Sequence, residues 1–316
     1  VLLLLTACTA PLQTLKLDSE TTLPPHTELS DTAFYPQKEY QCGPAALATI
    51  LNYYGARTSP EQLKPQIYLP ARQGTLRSEV VAATRRYDMI AVELTPTLDA
   101  LLSEIAAGNP VLVFQNLAFD WWPQWHYAVA IGYDLDTKEI ILRSGTRARW
   151  ITPLSVFETT WRRADYWALV IKPAGEIPAT AEPLTYLKAA SALESIARHD
   201  AAFAAYQAAV RRWPDNIIAF TGLGNTAYVQ GNYTKSAKAF AQAITIESRP
   251  ELWNNIAFPL NALGCHTEAL SAVACAIALD PDNPAYRASL TEIKTTTENM
   301  NGQSCSLPSC PVAPVE

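Results

Sequence analysis

Cys42 stands in the run Gln37-Lys38-Glu39-Tyr40-Gln41-Cys42-Gly43-Pro44-Ala45-Ala46-Leu47, and His126 lies far downstream. A cysteine that enters a helix straight from a loop meets unpaired backbone N–H groups and the positive end of the helix dipole, which favour a thiolate. Such a nucleophile needs a base, and a histidine distant in sequence but near in the fold supplies one. The chemistry this implies is that of a thiol hydrolase. The competing reading of Cys42 is a small buried side chain behaving as a hydrophobe.

The elements that position these groups are legible. Pro44 suits the first turn of a helix, Ala45, Ala46, Leu47, Ala48, Ile50 and Leu51 give it an apolar face, and Gly55 ends it. Val111-Leu112-Val113-Phe114 reads as a buried strand after the Asn109-Pro110 turn, and His126 opens a second strand through Tyr133. Between them lies a loop with Trp121, Trp122 and Trp125, which either walls a substrate groove or packs in the core. His26 falls in a proline-rich lead-in, and His199 and His266 fall at turns between helices, where solvated surface roles are expected.

Gln37 five residues before Cys42-Gly43-Pro44, a helix ending in Tyr53-Tyr54-Gly55, and His126-Tyr127 opening a hairpin together resemble the double-glycine leader peptidases, papain-like cysteine peptidase domains of bacteriocin-exporting transporters. The likeness spans residues 33–173. It implies an α+β papain-like fold with Gln37 helping to form the oxyanion hole, Cys42 as nucleophile, His126 as general base, and cleavage after small residues. The family's Asp or Asn orienting the imidazole has no counterpart: the strand Glu139-Ile140-Ile141-Leu142 runs into Arg143-Ser144. Ser144 is the candidate orienter in its place, with Asp120 and Asp134 as loop alternatives. The implied mechanism is a thiolate–imidazolium pair attacking a peptide carbonyl, with the oxyanion met by the Gln37 amide and the Cys42 N–H. Cys42-Gly43-Pro44-Ala45-Ala46-Leu47 also looks like the nucleophile helix of phytochelatin synthase, which implies acyl transfer as an alternative. A non-catalytic peptide-binding scaffold is the third.

The chain opens with an apolar run, Val1-Leu2-Leu3-Leu4-Leu5, leading to Leu5-Thr6-Ala7-Cys8, which resembles the bacterial lipobox. Residues 1–8 are read as the remnant of a signal peptide, with Cys8 the lipidation site. Thr9 after it favours, by resemblance to sorting rules, an outer-membrane anchor facing the periplasm. Residues 9–32 are expected to be a spacer only, a polar, proline-bearing tether.

After a linker at 174–182, Ala-rich helices continue the chain with a repeating pattern. Trp253, Ala257, Gly264, Ala269 and Pro281, and one unit earlier Leu223, Ala227, Gly231 and Phe240, fall on tetratricopeptide spacing. Units at 183–216, 217–249 and 250–283 with a capping helix to 296 make an all-α second domain, whose role is either binding a protein partner or purely structural. Residues 297–316 are expected to be a disordered tail.

The 316 residues carry a net charge of −6 with no basic cluster, which argues against nucleic-acid binding. No CxxC spacing points to zinc, and no cofactor is expected. Cys265, Cys275, Cys305 and Cys310 are available for disulfides, either Cys305 to Cys310 or a pair joining the tail to the last repeat. The partners implied are a peptide or protein substrate, a possible protein on the repeats, and a membrane reached through the lipid.

Overall fold

A computed structural model describes residues 12–16, 22–37, 41–297 and 305–311. Two compact units divide the chain: one runs to Pro173 and takes in Pro178–Thr185, and the other holds Ala174–Ile177 and the chain from Tyr186 onward.

In the first unit, a single 3-10 turn (Gln13–Lys16) and β1 (His26–Glu28) precede α1 (Cys42–Tyr53), α2 (Pro60–Ile67), the two-stranded ribbon β2 (Tyr68–Leu69) and β3 (Gly74–Thr75), and α3 (Arg77–Arg85). Then come β4 (Met89–Glu93), α4 (Leu98–Ala106), β5 (Val111–Asn116), β6 (Trp125–Asp134), β7 (Glu139–Ser144), β8 (Arg147–Pro153), α5 (Leu154–Arg162) and β9 (Ala168–Pro173). The main sheet is antiparallel in the order β4-β9-β5-β6-β7-β8, with β1 added to the far end of β6.

Both faces of this sheet are covered, which is why its strands read as unbroken apolar runs. Leu112, Phe114, Tyr127, Val129 and Leu169 pack with Leu47, Ile50 and Leu51 of α1. Their alternate neighbours Val111, Val113, Ala128, Ala130 and Val170 pack with Leu101, Leu102 and Ile105 of α4 and Phe157 and Trp161 of α5. Period-2 alternation thus splits each strand between two cores.

The expectation of a mere spacer at 9–32 is corrected over its described parts. His26–Glu28 pairs with Asp134–Gly132 of β6. Gln13 and Thr14 give their backbone N–H groups to the buried Glu158 carboxylate, at 2.5 and 2.8 Å. A buried carboxylate must find donors, and this segment supplies them. Glu104, also buried, does the same with Asn109 and with the backbone N–H groups of Ala179 and Thr180.

The second unit stacks helix pairs: α6 (Pro183–Ser195) with α7 (His199–Arg212), α8 (Ile217–Val229) with α9 (Tyr233–Ile246), α10 (Pro250–Ala262) with α11 (His266–Leu279), then α12 (Pro284–Thr297). Small residues let the helices close. A Cβ on Gly222 would lie 2.3 Å from the Tyr206 ring. Asn216 and Asn232 cap α8 and α9 by accepting from the N–H groups of Ala219 and Lys235. Disulfides Cys265–Cys305 and Cys275–Cys310 fasten the described residues 305–311 beside α11, a departure from the disordered tail expected there. His266 also departs from its expected solvated role: it is 4% exposed, its Nδ1 2.6 Å from Asn261 Oδ1.

Candidate active site

Cys42 is the first residue of α1, and its N-cap, Gln41, makes no side-chain cap bond. The leading N–H groups of the helix are therefore left for another acceptor. Those of Cys42 and Gly43 act on the thiol, and so does the backbone N–H of Tyr127 from β6. Gly43 is required here by close approach: a Cβ would meet the Thr75 side chain of the ribbon at 2.6 Å. Tyr127 in turn donates its hydroxyl to the Thr75 carbonyl at 3.2 Å, so the ribbon, α1 and β6 are fastened together at the sulfur.

Gln37 reaches the same residue, Tyr127. Its Nε2 donates to the Tyr127 carbonyl at 3.2 Å, and its backbone N–H bonds the Gly145 carbonyl at 2.9 Å. An amide nitrogen carries two hydrogens, so one bond to Tyr127 leaves donor capacity on Gln37. Gln37 and Cys42 therefore meet at Tyr127, the residue next after His126.

His126 Nε2 lies 2.8 Å from Ser144 Oγ, and Ser144 is 1% exposed. Ser144 thus contacts the imidazole, and the carboxylates weighed beside it do not act on it. Asp134 accepts from the Thr137 N–H, and Asp120 is an exposed partner of Arg163 at 4.0 Å. Burial alone holds His126 down at about 4. Burial also pushes the Cys42 thiol up, outweighing the three backbone N–H groups that oppose it. Desolvation therefore opposes the charged form of each group, so burial works against both members of the thiolate–imidazolium pair that the resemblance implies.

Sequence reasoning missed Gln115. It lies directly opposite His126 in the β5–β6 register and is 3% exposed. Its Nε2 donates to Thr160 Oγ1 at 2.7 Å. That hydroxyl spends its own hydrogen on the Phe157 carbonyl at 2.8 Å, so it can only accept from Gln115, and this fixes the amide orientation. The Gln115 carbonyl oxygen is left buried and without a partner. Arg77 was missed as well: its guanidinium lies 4.8 Å from the Phe114 ring centroid and 5.6 Å from that of Trp167, bracing the aromatic shelf on which Trp125 stacks. The Tyr127 N–H that favours the thiolate is a backbone group, which no side-chain pattern reveals.

The tryptophan loop is not core. Trp121 and Trp122 are 79% and 64% exposed, which removes the core-packing reading for both. Among the described residues Cys42 is the free cysteine, and no cluster of metal-ligating side chains occurs. Cys8 lies outside the described residues.

Residues 29–169 match the sequence model of the Peptidase_C39 like family. No curated protein matches the chain. Among solved structures the chain is similar to a putative C39-like peptidase from Bacillus anthracis, at 17% identity and a TM-score of 0.39, over 46% of this chain and 96% of that one. It is similar to the peptidase domain of Streptococcus ComA, a bifunctional ABC transporter of a quorum-sensing pathway, at 19% identity and a TM-score of 0.38, over 45% and 98%. A third likeness is to YrrB, a tetratricopeptide-repeat protein with an unusual peptide-binding site, at 20% identity and a TM-score of 0.34, over 37% and 61%. The fold class is a C39-like, papain-like α+β unit succeeded by an all-α helical unit.

Proposed function

We propose that the protein is a membrane-tethered cysteine peptidase of the periplasm, cutting peptide bonds after small residues. The observation that carries this reading is the convergence on one residue, Tyr127. The Tyr127 N–H acts on the Cys42 sulfur, its carbonyl accepts from Gln37, and the preceding residue is His126, held by Ser144.

From a neutral resting pair, His126 takes the thiol proton as the sulfur attacks the substrate carbonyl, so charge separates only when substrate is bound. The oxyanion meets the Cys42 N–H and the Gln37 amide, donors worth about 2.7–4 kcal/mol each where measured elsewhere. His126 then returns the proton to the leaving amine, and water releases the acyl group. Cys8 carries the lipid, and the helix pairs of the second unit offer a surface for a protein partner.

A non-catalytic peptide-capturing module is the competing reading, favoured by the burial that raises the thiol and lowers the imidazole. A peptide library varied around Gly and Ala separates the two. The proposal expects cleavage after small residues by the native chain and none by Cys42→Ala or His126→Ala. Peptides retained but uncut by the native protein would sink the enzyme and leave the capture module.

A further inference from the structure

The loop between β5 and β6 displays Phe119, Trp121 and Trp122, and Trp125 beside it is 52% exposed. Aromatic side chains massed on a surface mark a place where something docks. The display is pinned by hydrogen bonds. Asn116, 1% exposed, accepts from the backbone N–H groups of Ala118 at 3.1 Å and Gln124 at 2.9 Å and donates to the Phe119 carbonyl at 3.3 Å. Arg163, the C-cap of α5, donates to the Ala118 carbonyl at 2.6 Å. Phe119 and Trp121 stack with ring centroids 5.6 Å apart.

The second observation is where the front of the chain is fastened. Gln13 and Thr14 bind Glu158 on the same helix whose end holds the loop, and the Gln13 side chain also donates to the Pro96 carbonyl and accepts from the Leu98 N–H. Glu158 and Arg163 are separated by about 7.5 Å of helix rise. Cys8 precedes Gln13 by five residues, so its Cα lies no more than about 18 Å from that of Gln13. The effective tether is a short leash on α5. A bilayer holding acyl chains on Cys8 therefore lies within reach of the loop.

From this juxtaposition we propose that Phe119, Trp121, Trp122 and Trp125 dock into the interfacial layer of the bilayer that holds the Cys8 lipid, laying the candidate site at the membrane surface. The inference rests on the lipid anchor in the proposed function. Indole rings suit that layer, with an apolar body toward the acyl chains and an N–H toward the headgroups. The chain's net charge of −6 offers anionic lipid no overall attraction, so docking is expected to be carried by aromatic burial and to be indifferent to salt.

The test uses the full-length protein extracted from membranes and reconstituted into phosphatidylethanolamine–phosphatidylcholine vesicles containing shallowly brominated lipid. Tryptophan quenching is expected, and it should be lost in the Trp121→Ser, Trp122→Ser double variant while vesicle association persists through the lipid. A Cys8→Ala chain should still partition weakly onto the same vesicles, and that partition should vanish with the two tryptophans. Acylated protein whose emission is unquenched, or quenched equally in the double variant, overturns the docking while leaving the anchor intact. A mass showing no acyl group on Cys8 overturns the anchor, and absence of the weak Cys8→Ala partition overturns the docking. Emission that responds to peptide and not to vesicles assigns the loop to substrate and also overturns the proposal.

Discussion

Each unit of the molecule places a cysteine at the start of a helix, and the two have opposite fates. Cys42 opens α1, and Cys265 is the N-cap of α11 with His266 next to it. Residue types and helix dipoles are alike at both. The neighbours decide: Cys265 meets Cys305 and is closed into a disulfide, whereas Cys42 meets the Tyr127 N–H and stays free. The histidines diverge in the same way. His266 is held by Asn261 of its own helix pair, while His126 is held by Ser144 across the sheet, where sulfur, amide and imidazole share one rim. A helix start is an opportunity, and long-range pairing settles what it becomes.

The strongest way to break this comparison is to remove each sulfur in turn. Cys42→Ala should abolish peptide turnover, by about 10⁴-fold or more, because the residual machinery has no nucleophile. Replacing both Cys265 and Cys305 by Ala should leave turnover within about twofold, since that bond lies in the other unit. Its cost is stability: opening a link of sequence separation 40 should lower the unfolding free energy of the helical unit by about 4 kcal/mol in the chain-entropy picture, read by urea unfolding. Comparable turnover losses in both variants would erase the contrast.

Proton linkage gives the next effect. His126 has its ordinary value near 6.5 when unfolded and about 4 when folded, so the unfolded chain binds more protons between those values. The stability from burying the neutral ring is fully present above pH 6.5 and is lost as pH falls to 4. The loss is on the order of 3 kcal/mol. Unfolding of the native chain and of His126→Ala at pH 7 and pH 4 measures it: the native chain should lose more by that amount, and equal losses would mean a solvated imidazole. The raised thiol predicts, on the same logic, that iodoacetamide alkylation of resting Cys42 has its midpoint above the free-thiol value of about 8.5.

How much of this the sequence disclosed depends on the range of each interaction. The fold class was legible because it rests on local periodicity: Val111 to Phe114 as a buried strand, Ala45 to Leu51 as an apolar helix, and the small residues of the repeats. Gly222 is one of those, its lack of a side chain matched to the Tyr206 ring. What stayed hidden lies across the sheet. Nothing near Gln115 in sequence announces that β5 sets it opposite His126 or that Thr160 turns its amide. Nothing near Gln13 announces Glu158, which is distant in the chain and adjacent in space. The burial of Cys42 was hidden for a related reason. The helix start is a local signal favouring the thiolate, and the burial that outweighs it is a property of the assembled core.

The smallest effect tests the orienter. Ser144 offers His126 one neutral hydrogen bond at 2.8 Å, and such a bond contributes about 0.5–1.5 kcal/mol net. Ser144→Ala should therefore slow turnover by only about three- to tenfold, with KM little changed, because the ring is also confined by burial. Ser144→Asp places a carboxylate where the imidazolium forms, which raises the His126 pKa above about 4 and moves the acid limb of the pH–rate profile to higher pH. A slower Ser144→Ala enzyme whose acid limb stays put, together with an upward-shifted limb in Ser144→Asp, is the signature of an orienting contact. An unchanged rate in the first variant and an unmoved limb in the second would reduce Ser144 to packing, leaving burial to hold the base.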